Sequence, residues 1–252
     1  MPGRARSIVA DSGSTKRKVG IGTYLVLAIA FLILVSLGTW QVERLQWKEA
    51  LITKMEAMRH AAPISLHALS QMPKPDLEAE YRPLTVRGRF DHAGEQYFYA
   101  THDGQVGYHV YTPLIMAEGR VLFVNRGFVP EDRKDPAKRA EGQIAGEVDV
   151  KGLYRRELAE KPSWLVPENE PQKRLYFWKD LAAMAKAANV PEGRLEHFFL
   201  DADATPNPGG WPKGGVTQVE LPNNHLSYAV TWYGLAATLL VVSVLAIRRK
   251  AR

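Results

Sequence analysis

Two stretches of this chain run for six helical turns without a formal charge. Val19 to Trp40 and Leu226 to Ile247 are each 22 residues long and dense in Leu, Ile, Val and Ala. Such a length makes about 33 Å of helix, enough to cross a bilayer. A buried core helix would be expected to show a polar face over that length, so both stretches read as spans. The first is longer than the apolar part of a cleaved signal, and no small-residue cleavage site follows it, so it is expected to be retained. Beyond Trp40 the period stays helical: Trp40, Arg44, Trp47, Leu51, Met55 and Met58 recur at three- and four-residue steps, carrying the helix to about Arg59.

Between the spans the period changes from 3.6 to 2. Leu84–Phe90 and Glu147–Tyr154 alternate apolar and polar residues. The stretches 96–101, 108–115 and 120–129 are aromatic and β-branched, and 174–178 and 197–200 are shorter strand candidates. A mostly antiparallel sheet or partial barrel is expected. One helix interrupts it, from Asp180 as N-cap through Ala188 to a stop at Pro191. Pro63, Pro73, Pro75 and the following Pro83 make 60–82 a linker, charged 130–146 reads as a solvated loop, and the Pro- and Gly-rich 205–215 reads as a flexible tether. The expected fold class is an α+β membrane protein, with N- and C-terminal transmembrane helices flanking a mostly antiparallel β extramembrane domain that carries one or two helices.

Charge then sets the orientation. The chain's net +6 and pI of 9.4 invite a nucleic-acid reading. By position, however, residues 1–18 and 248–252 carry +4 each, and 41–225 carries −2. The basicity therefore follows the positive-inside rule, and no nucleic-acid partner is expected. The expected organisation is a basic cytoplasmic tail 1–18, a transmembrane helix 19–40, a periplasmic domain 41–225, a transmembrane helix 226–247 and a basic cytoplasmic tail 248–252. A bacterial inner membrane fits this best, because the first tail is short and uniformly basic; the mitochondrial inner membrane would show the same topology.

With no cysteine, disulfide scaffolds, zinc ribbons, iron–sulfur sites and thiolate copper ligation are excluded. No phosphate loop, nucleophile elbow or paired-histidine metalloprotease motif is present, and the acidic pairs at 131/132 and 168/170 lie in charged, Pro-rich stretches; no catalytic residue is assigned. Six of the seven histidines lack metal-capture spacing, and His109 reads as a sheet-surface side chain. His225 differs by position, immediately before the second span. At helical spacing it shares a face with Tyr228 and Trp232. Two readings stand: an axial ligand to a haem lying in the apolar phase, or an interfacial aromatic belt whose histidine caps the helix. At the outer end of the first span, Gln41, Arg44 and Lys48 share a face. Arg44 and Lys48 would meet the propionates of such a haem, or reach lipid phosphates.

Several strings, in order, resemble the Surfeit locus protein one (Shy) family. They are Gly38-Thr-Trp-Gln-Val-Glu-Arg44-Leu-Gln-Trp-Lys48, Gly88-Arg-Phe-Asp91, Val124-Asn125-Arg126-Gly127-Phe-Val-Pro130, Gly142 to Val148, Val166-Pro-Glu-Asn-Glu-Pro171 and Asn224-His225 to Leu235. The resemblance implies a non-enzymatic assembly factor for haem-copper cytochrome c oxidase. It implies haem a as a transiently bound cofactor, supplied by haem a synthase and delivered to oxidase subunit I, with His225 as the haem-linked histidine. The lipid bilayer is the remaining expected partner. The alternative is a scaffold that stabilises an early subunit I intermediate without holding haem. For Gly88, Asn125, Arg126 and Gly127 a turn or strand-end role is the simpler expectation.

Overall fold

The computed structural model describes residues 20–217 and 223–251. The basic segment 1–18 lies outside them, as does Arg252. The chain divides into two units, one from the described parts of Met1–Ala50 and Pro222–Arg252, the other from those of Leu51–Leu221. Two helices make the first unit: α1, Ile21–Arg59, whose last turns belong to the second unit, and α5, His225–Ala251. Both are long and apolar enough to cross a membrane.

The second unit is a seven-stranded sheet: β1 Pro83–Phe90, β2 Gln96–His102, β3 Gln105–Met116, β4 Val121–Pro130, β5 Glu147–Arg156, β6 Leu175–Tyr176 and β7 Leu195–Ala202. The order is β1-β5-β7-β4-β3-β2-β6, with a further β1–β3 pairing. That pairing closes five strands into a ring, leaving β2 and β6 as an extension beside β3. Only β4–β7 and β2–β6 are parallel, so the mostly antiparallel expectation holds.

Closure depends on β3 serving two partners. Its first half pairs with β2, its last residues pair with β1, and its register against β4 shifts between His109 and Tyr111. At the crossing, Gly88 sits opposite Met116, and a Cβ there would lie 2.6 Å from the Ile115 carbonyl oxygen. Gly88 is thus required by close backbone approach inside a strand, and the turn or strand-end expectation is corrected.

The ring encloses Leu84, Val86, Phe90, Leu114, Leu122, Val124, Tyr154, Phe198 and Leu200. Outside it, α4 (Leu181–Ala187) packs Leu181, Met184 and Ala185 against Tyr111, Phe123 and Phe199. The Asp180 carboxylate caps α4 by accepting the Ala183 N–H at 2.9 Å. Covered on both faces, β4 is buried from Val121 to Val129, which explains its unbroken run of buried positions.

Three stretches expected to be irregular are built in. The 60–82 linker holds two short helices, α2 (Leu66–Ser70) and α3 (Pro75–Glu78), and Ile64, Leu69 and Ala79 join the core within the ring. Its prolines punctuate elements too short for a periodicity window to find. Arg139 is buried in the 130–146 stretch, which is therefore not simply a solvated loop. The 205–215 tether is stitched to β4: Phe128 and Lys213 exchange two backbone hydrogen bonds of 2.9 Å, and the Asn207 amide donates to the Pro212 carbonyl. Gly209, Gly210 and Gly215 set turns at positive φ and do not confer slack.

Candidate functional site

In the first unit, buried and half-buried positions recur at helical steps on both helices. They are Leu34, Gly38, Gln41 and Leu45 on α1, and His225, Ala229, Trp232 and Ala236 on α5. Small residues let the backbones approach. A Cβ on Gly38 would fall 2.8 Å from the Tyr233 ring, and the Thr39 and Tyr233 hydroxyls are 3.0 Å apart. Towards the other end of this antiparallel contact, the His225 Nδ1–H donates to the Gln41 side-chain oxygen at 2.7 Å. An amide oxygen only accepts, so the proton sits on Nδ1 and the lone pair on Nε2. No hydrogen bond reaches Nε2 among the described residues.

The predicted face around His225 therefore splits. Trp232 lies half-buried along the same seam, whereas Tyr228 is 55% exposed and turned away. The offset is geometric: positions i and i+7 nearly superpose at 3.6 residues per turn, while i+3 falls about 60° aside. The helix-capping reading of His225 is corrected as well, since its side-chain bond crosses to α1. Arg44 is exposed, with its guanidinium 4.4 Å from the Trp47 ring centre, and Lys48 is half-buried and already engaged. Gln41 shares a face with these cations by spacing, but its side chain bonds across to His225 on α5, a contact that one helix alone does not show.

The β-domain holds two buried ionic clusters that spacing did not reveal. In the first, Arg139 grips Glu95 through both terminal nitrogens, at 3.2 and 2.5 Å, with both side chains almost wholly enclosed. Burial alone would push the Glu95 carboxyl up. Contacts from His92 and Arg139, with the Arg139 and Arg126 charges, hold it down at about 2. Arg126 lies 4.6 Å from the Phe90 ring centre and donates through Nη2 to the Gly142 carbonyl and to Asn207. Burial, reinforced by the Arg139 charge, brings it down to about 10. Arg126 thus ties β4 to the 136–142 and 207–214 segments from mid-strand, not from a strand end.

The second cluster centres on Asp201. One carboxylate oxygen accepts from Asn125; the other accepts from Arg155 and Thr217. Lys179 lies 3.9 Å away. Burial would raise the Asp201 carboxyl, but the Lys179 and Arg155 cations and the Asn125 and Thr217 hydrogen bonds carry it below the usual range. Burial lowers Lys179, and it lowers His109 to about 4; His109 is half-buried on the face of β3, its ring stacked on Phe98. These groups line a cleft of about 280 Å³. With its oxygens all engaged, Asp201 is suited to bracing β4 against β5 and β7, and poorly suited to proton transfer. Asn125 works there too, since its oxygen also accepts the Gly127 N–H at 3.1 Å. The local signal for this cluster was a lone Asp following Phe198-Phe199-Leu200 in a core strand.

Among the described residues no cluster of three His, Asp or Glu side chains is placed to hold a metal ion. What fold and site define together is a small closed-sheet domain whose sequence lies between two bilayer-length helices, and those helices are joined by the Gln41–His225 and Thr39–Tyr233 side-chain contacts. The family model for SURF1 matches residues 28–237, and the chain belongs to that family. It is 41% identical over 219 residues to Surfeit locus protein 1 of Xenopus tropicalis, covering 80% of this chain and 68% of the relative. Against the Homo sapiens Surfeit locus protein 1 it is 38% identical over 253 residues, covering 94% and 81%. A SURF1-like protein of Monosiga brevicollis is 36% identical over 253 residues, covering 96% and 93%.

Proposed function

We propose that this protein is a non-enzymatic assembly factor for haem-copper cytochrome c oxidase that holds haem a at the outer face of the membrane and passes it to subunit I. The observation that carries the reading is His225, anchored at Nδ1 and presenting an unbonded Nε2 at the end of an apolar helix pair. That donor fits haem iron, and the apolar helices beneath fit a macrocycle with a hydrophobic body. When bound, haem a would supply an iron that accepts one axial nitrogen, and two propionates. Trp232 is placed to pack beside the ligand. Of the two cations, Arg44 is the better propionate partner because its guanidinium is exposed and presents a donor fork, while Lys48 is already engaged. Tyr228 is assigned to the lipid interface.

A single anchored imidazole suits transfer, because two strong ligands would resist release. Haem a synthase is the source on this reading. The setting is a bacterial inner membrane, with both termini cytoplasmic and the β-domain periplasmic, or the mitochondrial inner membrane with the same sidedness. A second reading is a haem-free scaffold for subunit I. It is favoured by the Gln41–His225 and Thr39–Tyr233 bonds, which also suit polar clamps between two spans. Deleting the gene and restoring it separates the two. Wild type is expected to restore haem a per subunit I, whereas His225→Ala should leave subunit I present but several-fold poorer in haem a. Full restoration by His225→Ala would remove the haem role and leave the scaffold; normal oxidase after deletion would remove both.

A further inference from the structure

We propose that Gln41 is a positioning residue that holds His225 in the tautomer able to bind iron and sets how strongly the iron is held, an inference that rests on the haem reading above. Imidazole has two neutral tautomers, and only one leaves a given nitrogen free to ligate. The 2.7 Å bond fixes this choice, because the Gln41 oxygen must receive a proton and Nδ1 must supply it. Gln41 is 8% exposed, on a seam where the neighbouring contact brings the Tyr233 ring against Gly38, so its amide has little room to swing away.

The chemical identity of the acceptor also matters. Ligating histidines that donate to a carboxylate gain imidazolate character and bind metal more strongly, and altering such outer partners changes affinity about 10–100-fold. A neutral amide fixes the ring but withholds that strengthening. Gln41 thus gives an oriented ligand of moderate basicity, suited to a protein that must give its cargo away. A carboxylate at this position would make a better store and a poorer donor.

The test uses the full chain in detergent, with haem-free wild type, Gln41→Leu and Gln41→Glu. Nitrogen-15 NMR of His225 in haem-free wild type should show Nδ1 protonated and Nε2 bare, and Gln41→Leu should lose that preference. With added ferric haem as probe, Gln41→Leu should bind about 10–100-fold more weakly. Gln41→Glu, which keeps an acceptor of the same shape, should retain the tautomer, lower the haem reduction potential and slow transfer to apomyoglobin. A protonated Nε2 in wild type, or a tautomer and affinity untouched by Gln41→Leu, would overturn the role of Gln41 whatever the haem does. The expected tautomer in a wild type that takes up no haem would instead overturn the haem reading, and with it any effect of Gln41 on release.

Discussion

Gly127→Ala is expected to be among the most damaging single methyl additions in this chain. Gly127 lies in β4 at φ +119°, a conformation that L side chains rarely adopt. Its Cβ would come 2.0 Å from the Lys213 carbonyl oxygen and 2.3 Å from the carbonyl carbon. Both obstacles are backbone, and that backbone is held by the paired 2.9 Å hydrogen bonds between Phe128 and Lys213. Neither can move without releasing the 205–215 segment from the sheet. Losing that pairing and forcing the φ angle should together cost about 3 kcal/mol or more. Urea denaturation of the full chain in detergent, followed by tryptophan fluorescence, should show a large drop in midpoint, and limited trypsin should open a new cut after Lys213. An unchanged midpoint would mean that the segment is not load-sharing with β4.

Glu95→Gln should be of similar size, for an electrostatic reason. The Glu95 carboxylate is 1% exposed and faces two buried guanidiniums, Arg139 in direct contact and Arg126 at 3.9 Å. Neutralising it strands both cations away from water, which typically costs about 3–5 kcal/mol. The same pair makes wild-type stability pH-dependent with a definite sign. An unfolded Glu titrates near 4.5, and the folded one near 2. The contribution is therefore complete above about pH 4.5, is lost as pH falls from there towards 2, and amounts to about 3 kcal/mol by linkage. Wild type should lose stability steeply across that window relative to Glu95→Gln, whose curve lacks this component. Parallel curves would show that Glu95 is not ionised in the folded protein.

Much of the fold was legible because its signals are local. Charge-free runs marked both apolar helices, alternation and β-branching marked the strands, and Asp180 marked the start of α4. What escaped is what depends on partners distant in sequence. Closure of the sheet requires β1 to meet the end of β3, some 27 residues on, and Gly88 looks like any glycine until Ile115 is placed against it. Arg139 sits among charged neighbours that are solvated; only pairing with Glu95, 44 positions away, takes it into the interior. Prolines and glycines at 60–82 and 205–215 report turns, and turns are compatible with tight packing as readily as with slack. At the candidate site, spacing singled out His225, Tyr228, Trp232, Arg44 and Lys48, and the grouping of Tyr228 with His225 and Trp232 overlooked its offset of about 60°. The decisive contact, Gln41 to His225, spans 184 positions.

Haem ligation at that contact is tested most directly by the optical spectrum of the full chain, purified in detergent from cells that make haem a, beside His225→Ala prepared identically. Wild type should carry a haem a spectrum whose Soret and α bands shift on reduction, with up to one haem extracted per chain. His225→Ala should emerge nearly colourless while keeping its β-domain fold and its place in the membrane. A colourless wild type, or an alanine variant with the same spectrum and haem content, would contradict ligation by His225.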